Sequence, residues 1–572
     1  MFIIRMDMSK GTIRKEDVTK KYKLLGGRSI ITQVLVDEVD PMTDPLGKDN
    51  KLIIATGLLS GTHCSSTGRI SIGCKSPLTG TAKEANAGGT VGQLLSRIGI
   101  KAIIAENMPE KGKWYLLHIN GENVELLDGS EYVGKNNYEV HEILHERYGE
   151  KAGVISIGVG GERKYKAASI QVTSTNGTPS RAAARGGVGA VMGSKGIKAI
   201  VIEPYTGPSA VTYIDRKKFL EANKVYIEGI KAHPLTGGAM PNLGTASGVS
   251  PCHQFGILPV NNFSSAKWNK EFVEAISGEH LAELQAERGG SVGHPCMPGC
   301  AIHCSNTYMD KDGKYITSGF EYETIALFGS NCGIHDLDAI ARMDRMCDEI
   351  GVDTMEVACA IAVAMDAGMA KFGDVDAALA FLQEIWDGTE FGRLLGDGTE
   401  QTGKFLGAKR IPTVKGQSLA GYDPRSLKGT GVTYATCPQG ADHTAGNLLG
   451  NPFLNPLEKP GSQEQSRNAQ IMLCAADIMG MCIFGTFASA MGPQYAQALV
   501  DMMDMRTGDQ WTFDKIMQLG LDCIAAEKEY NRKAGIGPET DRLPDFFYTE
   551  PNDATGTVFD FTPEELAETL PY

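Results

Sequence analysis

Along the first 205 residues, apolar positions come in short runs bounded by glycine, proline or charge: Lys51-Leu-Ile-Ile-Ala, Lys101-Ala-Ile-Ile-Ala, Trp114-Tyr-Leu-Leu-His-Ile, Gly153-Val-Ile-Ser-Ile and Ala199-Ile-Val-Ile-Glu. Runs of this length and punctuation predict strands, so this block is expected to be sheet-rich with a few helices. Beyond Pro208 the spacing changes. Leu337, Ile340, Met343, Cys347 and Ile350 recur every three or four residues, and Ala358 to Ala370 continues the pattern, which predicts helices. The expected fold is α+β, with a sheet-rich domain at 1–205 followed by two mainly α-helical domains at 206–413 and 414–572. The second boundary is placed near Ile411-Pro-Thr-Val-Lys, before the glycine- and proline-containing Leu419-Ala-Gly-Tyr-Asp-Pro-Arg.

At 572 residues the chain is long enough for three or four compact units of ~150 residues each. A net charge of -14 argues against nucleic acid or an anionic membrane as a general partner. No run of ~18 apolar residues suggests a membrane span, and the first residues lack a signal-peptide pattern, so the expected location is the cytoplasm. There the 13 cysteines would not form a disulfide framework, and their clustering carries the information instead.

One cluster is dense: Cys296-Met-Pro-Gly-Cys300-Ala-Ile-His-Cys304. Pro295, Pro298 and Gly299 break a helix here, which predicts a ligand loop. Three thiols suit an iron–sulfur cubane, or zinc completed by His294 or His303; the bland alternative is small buried core residues. A cubane would need one more thiolate, which draws attention to Cys482.

Cys482 ends one of two related segments, Asp348-Glu-Ile-Gly-Val-Asp353 and Asp477-Ile-Met-Gly-Met-Cys482. In each a helical pattern runs into a glycine able to take positive φ, and Asp353-Thr-Met-Glu356 reads as a capping box for a further helix. Two such turns could hold the polar edges of two similar ligands, or of one two-fold ligand. The first block adds Thr67-Gly-Arg69, Ala85-Asn86-Ala-Gly88-Gly89 and Ser180-Arg181-Ala182-Ala-Ala-Arg185-Gly186-Gly187, where glycine amides and arginine forks could cradle phosphate. These match neither the Walker loop nor the dinucleotide fingerprint. Glu323 and His443 are candidates for proton transfer.

Together the segments resemble the tungsten-containing aldehyde ferredoxin oxidoreductase family from about Gly26 to Pro551. The resemblance rests on "GRISIGCKSPLTG", "ANAGG", "SRAAARGGVGAVMGSKGIKAI", the Cys run, "EYETIALFGSNCGI", "DEIGVD", "YDPRSLKGTG", "DIMGMC" and "DRLPDFF", in that order. It implies a sheet-rich base beneath two helical domains, with tungsten (or molybdenum) held between by two pterins. Asp348 and Asp353, with Gly351 and Thr354, would grip one pterin, and Asp477 with Met481 the other. Arg69, Asn86, Gly88, Gly89, Arg181, Ala182, Arg185 and Gly186 would hold the phosphates and a bridging Mg2+. Cys296, Cys300, Cys304 and Cys482 would ligate a 4Fe-4S cluster, and Glu323 and His443 would flank the metal. The implied reaction takes a small aldehyde and water to a carboxylate, with electrons leaving to ferredoxin or a small iron–sulfur subunit. A reductase of aromatic acyl thioesters in the same family, and a zinc-stabilised non-enzymatic scaffold, are the rival readings.

Two departures from the family stand out. The thiols are spaced Cys-x3-Cys-x3-Cys rather than Cys-x2-Cys-x3-Cys, and Arg342 aligns with a glutamate that binds iron between subunits in homodimeric members. Arginine cannot ligate iron. An iron-bridged homodimer is therefore not expected.

Overall fold

In the computed structural model, which describes residues 1–570, the apolar runs of the first block become strands of two six-stranded sheets. The first comprises β1 (Phe2–Asp7), β2 (Thr12–Asp17), β3 (Leu52–Thr56), β4 (Ile70–Lys75), β5 (Ala82–Ala87) and β6 (Ile100–Glu106) in the order β2-β1-β6-β3-β4-β5. The second comprises β7 (Tyr115–Asn120), β8 (Asn123–Asp128), β9 (Gly153–Ser156), β10 (Ile170–Val172), β11 (Arg181–Ala183) and β12 (Ile197–Ile202). Its order is β8-β7-β12-β9-β10-β11, so the sheets correspond strand for strand. Only β1/β6 and β7/β12 run parallel. The block is thus a tandem structural repeat, and Gly-Ile-Lys-Ala-Ile at 99–103 and again at 196–200 is its trace in the sequence.

The repeats share one core. Ile4, Ile54 and Ile72 of the first sheet belong to the same apolar cluster as Leu117, Ile155 and Ile200 of the second. The helix Gly27–Glu38 covers the outer face of the first sheet through Ile30, Val34 and Leu35, and the helix Asn137–Tyr148 covers the second through Val140 and Leu144. Both sheets are therefore buried on two faces, which explains why their strands read as continuous apolar runs rather than alternating ones.

The helical spacing after Pro208 is realised. Leu337, Ile340, Met343, Cys347 and Ile350 are all buried on the helix Leu337–Ile350, which stops at Gly351 with φ 76°. The next helix, Thr354–Asp366, ends before Ala370. Its expected capping box is only half made. Asp353 accepts from the Met355 amide, but Glu356 turns inward and accepts from the amides of Thr399 and Ser418, each at 2.9 Å.

The middle third also holds a three-stranded sheet, β13 (Ser291–His294), β14 (Ser305–Met309) and β15 (Tyr315–Ser318), which brackets the Cys run. The helical pattern gave no sign of it. The Cys run lies in a second large core with the helices Arg216–Ala232, Ser462–Met479, Pro493–Thr507 and Phe513–Lys533. Among the described residues no helix is long and apolar enough to cross a membrane.

Candidate active site

The two glycine turns dock on the two repeats in the same way. At the first, Ser169 N donates to Gly351 O (2.9 Å) and Asp353 N donates to Ala167 O (2.9 Å), around an isolated bridge between Ala168 and Val352. At the second, Gly68 N donates to Gly480 O (2.9 Å) and Cys482 N donates to Ser66 O (2.8 Å), around a bridge between Thr67 and Met481. Gly480 has φ 73°, so the helix Ser462–Met479 ends in the left-handed conformation that glycine tolerates. Close backbone approach is needed as well. A Cβ on Gly158 would lie 2.2 Å from Ile350 O, and one on Gly57 would lie 2.2 Å from Gly480 N.

This docking brings the expected ligand residues together. Residues 295–304 form an irregular loop, as Pro295, Pro298 and Gly299 required, and His303 takes a positive φ of 57°. The thiols of Cys296, Cys300, Cys304 and Cys482 are all buried, and each lies within electrostatic reach of the other three. Among the described residues no group of three His, Cys, Asp or Glu side chains forms a ready-made site for a single metal ion.

Gly88 and Gly89 lie against this loop. Gly89 N donates to Cys296 O (2.9 Å), and a Cβ on Gly88 would come within 3.4 Å of the Cys296 sulfur. Arg69 bonds Asn86 through Nε to the side-chain oxygen and through Nη2 to the carbonyl. Arg181 reaches from β11 to Ser305 Oγ and to Glu321 Oε1 at 3.5 Å, beside the Cys304 end of the loop. Its neighbour Ala182 pairs with Gln171. Arg185 is different. Its guanidinium donates to Asp353 Oδ2 (3.3 Å), Ala441 O (2.8 Å), and both Ser418 O (2.6 Å) and Ser418 Oγ (2.9 Å). It is occupied as a clamp between the base and both later regions, and Gly186 beside it leaves room for the Lys83 stem.

The Asp348 carboxylate is buried, that of Asp477 is largely so, and both are under-compensated. Burial, reinforced by Asp344, pushes the Asp348 carboxyl well up from its ordinary range, and burial with Glu84 does the same for Asp477. Asp344, one helical turn before Asp348, is pushed up by burial to about 7. Asp477 has Arg28 at 3.4 Å, but Arg28 is committed to a paired contact with Glu527 at 2.8 and 2.7 Å. Thr354 Oγ1 meets Thr324 Oγ1 at 3.0 Å. Carboxyl groups in this state can donate or accept, which suits a heteroaromatic edge carrying both kinds of nitrogen.

Glu323 and His443 face each other. Glu323 sits in the first turn of the helix Tyr322–Phe328 and accepts from Gly421 N through Oε2 at 2.7 Å. His443 Nε2 is 3.3 Å from Glu323 Oε1 without hydrogen-bond alignment, and its Nδ1 is 3.9 Å from Asp442 Oδ1; Glu323 Oε1, His443 Nδ1 and the Tyr434 hydroxyl are buried without hydrogen-bond partners. Orphaned polar atoms on the facing Glu323 and His443 side chains mark a place for a polar ligand. Tyr322 and Tyr422 stack at 4.9 Å beside it, with Tyr422 5.9 Å from the His443 ring. The His443 loop is pinned to the base. Lys83 of β5 meets Asp442 at 3.1 Å, and although burial works against ionisation, Lys83 and Arg185 hold the Asp442 carboxyl far below its usual range.

Sequence reasoning missed Arg28, Lys83, Asp344 and Asp442. The i,i+4 spacing to Asp348 could have flagged Asp344; the cross-chain ion pairs left no local signal.

Comparison with known proteins adds the following. Residues 3–204 match the family described as aldehyde ferredoxin oxidoreductase, N-terminal domain, and residues 221–571 match aldehyde ferredoxin oxidoreductase, domains 2 and 3. The chain is 34% identical to the tungsten-containing aldehyde ferredoxin oxidoreductase of Pyrococcus horikoshii and 33% identical to that of Pyrococcus furiosus, in each case over 96% of this chain and 91% of the relative. It is 26% identical to the WOR-like subunit of an aliphatic sulfonate oxidoreductase of Pyrococcus furiosus, over 77% of this chain and 74% of that one. A solved active-site complex of benzoyl coenzyme A reductase with 1,5-dienoyl-CoA shares the fold, with TM-score 0.81, 19% identity, and 99% of this chain and 92% of that one covered.

Proposed function

From the premise that the chain belongs to the aldehyde ferredoxin oxidoreductase family and is an oxidoreductase, we propose that it converts an aldehyde and water to a carboxylate. The aldehyde carbon gains the water oxygen and gives up two electrons, with the protons passing to solvent. A tungsten bis-pterin (or its molybdenum counterpart), when bound, supplies the Lewis acid and two-electron acceptor, and a 4Fe-4S cluster supplies a one-electron exit.

In this reading Cys296, Cys300, Cys304 and Cys482 hold the cluster. Asp348, with Asp353 across the Gly351 turn, binds one pterin edge, and Asp477 binds the other. Arg69 and Arg181, with the backbone at Gly88, would face the phosphates and hold Mg2+ beside them. The fit is supported by the largely buried, under-compensated carboxylates and by the doubled docking, which offers two like half-sites to one two-fold group. Arg185 supports the site by clamping Asp353 and the His443 loop.

The observation that carries the chemistry is the orphaned atoms on the facing Glu323 and His443 side chains. Glu323 Oε1 accepts the proton of the attacking water, while Gly421 N fixes the carboxylate through Oε2. His443 Nδ1 donates to the aldehyde oxygen, and the stacked Tyr322 and Tyr422 keep bulk water out. Electrons leave to ferredoxin or a small iron–sulfur subunit. The test is Glu323→Gln. Turnover should fall by roughly 10²-fold with tungsten and iron content unchanged. Full activity in the loaded variant would remove Glu323 from the mechanism.

A further inference from the structure

Lys101 and Lys198 hold the same place in the two repeats. Each is the extra residue of a β-bulge: Ile100 and Ala102 pair with Phe2 and Ile3, and Ile197 and Ala199 pair with Tyr115 and Leu116. Lys198 is fully satisfied, donating to Lys135 O (2.9 Å), Ile157 O (2.6 Å) and Glu162 Oε1 (2.5 Å). Glu162 comes from the stretch that begins at Gly158 and ends at the bridge residue Ala168. The first repeat has a stretch of equal length from Gly57 to Thr67, and there the counterpart of Glu162 is Gly61.

The first lysine has therefore lost its carboxylate. Lys101 is only 4% exposed and among the described residues its ammonium makes no hydrogen bond or ion pair, although burial pushes its pKa down only to about 7. The charged group acting on it is another cation, Arg506, at the end of the helix Pro493–Thr507, whose Nε is also buried without a partner. Among the described residues the hydrogen bonds of Arg506 go to Thr212 O and the Met1 sulfur. The positive region continues outward through Arg97, Arg216 and His63 around Tyr213, and none of the groups acting on Lys101, Arg506, Tyr213 or His63 is a carboxylate. In a chain of net charge -14 such a cluster is not a by-product of composition.

We propose that a small free oxyanion, a carboxylate or a phosphate, binds between Lys101 and Arg506 in the place that the Glu162 carboxylate takes in the second repeat. The chain cannot fill that place from Gly61, which has φ 81° and whose added Cβ would lie 2.7 Å from both Ser96 Cβ and Val211 Cγ2. The anion supplies the paired charge that an ammonium on a largely buried side chain lacks. Its position also matters for the cysteine centre. The 57–67 stretch carries Ser65, whose hydroxyl donates to Gly299 O and accepts from Ala301 N, so an occupied site would brace the backbone on which the Cys run rests.

The test is calorimetric titration of the cofactor-loaded full-length protein with sodium phosphate and, separately, sodium acetate, with ionic strength held constant by chloride. One or both should bind saturably at one site per chain, and which one does identifies the chemistry. Lys101→Met and Arg506→Met should each weaken binding about tenfold or more, while Lys217→Met, on an exposed neighbouring side chain, should leave it unchanged. Absence of saturable binding of both anions, or full affinity in Lys101→Met, overturns the proposal. Should Lys101→Met fail to fold, Arg506→Met decides alone, since its side chain lies at a helix end.

Discussion

The doubled docking makes a differential prediction at Gly57 and Gly158. Gly57 does not need a positive φ, so Gly57→Ala acts through contact alone. Its Cβ would meet Gly480 N at 2.2 Å, Gly480 Cα at 2.3 Å and Met479 C at 2.4 Å, all backbone. Relief to ordinary contact demands that the turn retreat by about 1 Å. That displacement lengthens the bonds from Gly68 N and Arg69 N to Gly480 O and from Cys482 N to Ser66 O. At about 1 kcal/mol each they contribute about 3 kcal/mol, and overpacking costs a further 1–3, roughly 4–6 kcal/mol in all. Gly158→Ala meets Ile350 O at 2.2 Å and strains two analogous bonds, for about 3–5 kcal/mol. Both variants should melt lower than wild type. Only Gly57→Ala moves Cys482, so only it should lose iron and broad visible absorbance. The assay is melting temperature with iron per chain on anaerobically purified protein. Full iron content in Gly57→Ala, or equal iron loss in both variants, would refute the assignment of the second turn to the cysteine centre.

Cys482→Ala should impair cluster assembly without unfolding the chain, read as iron content and the reduced-state EPR signal; an unchanged signal would eliminate Cys482 as fourth ligand. Lys101→Met should stabilise the protein in chloride buffers. The folded pKa of about 7 lies below the unfolded value, so the unfolded chain holds a proton that the native state releases between about pH 7 and 10.5, and wild-type stability rises with pH across that window. The gain from the substitution is therefore about 4 kcal/mol at pH 7 and about 1 kcal/mol at pH 9.5. A gain independent of pH in denaturant titrations would contradict the unpaired ammonium.

Much of the fold was legible because its causes are local. Continuous apolar runs such as Lys51-Leu-Ile-Ile-Ala gave the strands of doubly covered sheets, and the spacing from Leu337 to Ile350 gave a helix whose glycine stop was visible. The tandem repeat was not read, because divergence has left little beyond the Gly-Ile-Lys-Ala-Ile echo. The sheet around the Cys run escaped because Ser305-Asn-Thr-Tyr-Met is mostly polar and its pairing is set by the loop it frames. The capping box failed where Glu356 found stronger partners in two buried amides. Lys83 with Asp442 and Arg28 with Glu527 join positions 359 and 499 residues apart. Such pairs exist only once the chain is folded, yet they anchor the His443 loop and the helix end at Asp477.

The central claim is that two like turns on a repeated base hold a tungsten–pterin centre beside a four-thiolate cluster, and metal analysis of anaerobically purified protein tests it most directly. Tungsten (or molybdenum) together with iron, in the ratio of one metal centre to one four-iron cluster per chain and with broad visible absorbance, is the predicted result. Stoichiometric zinc in a colourless protein lacking tungsten, molybdenum and iron would contradict it.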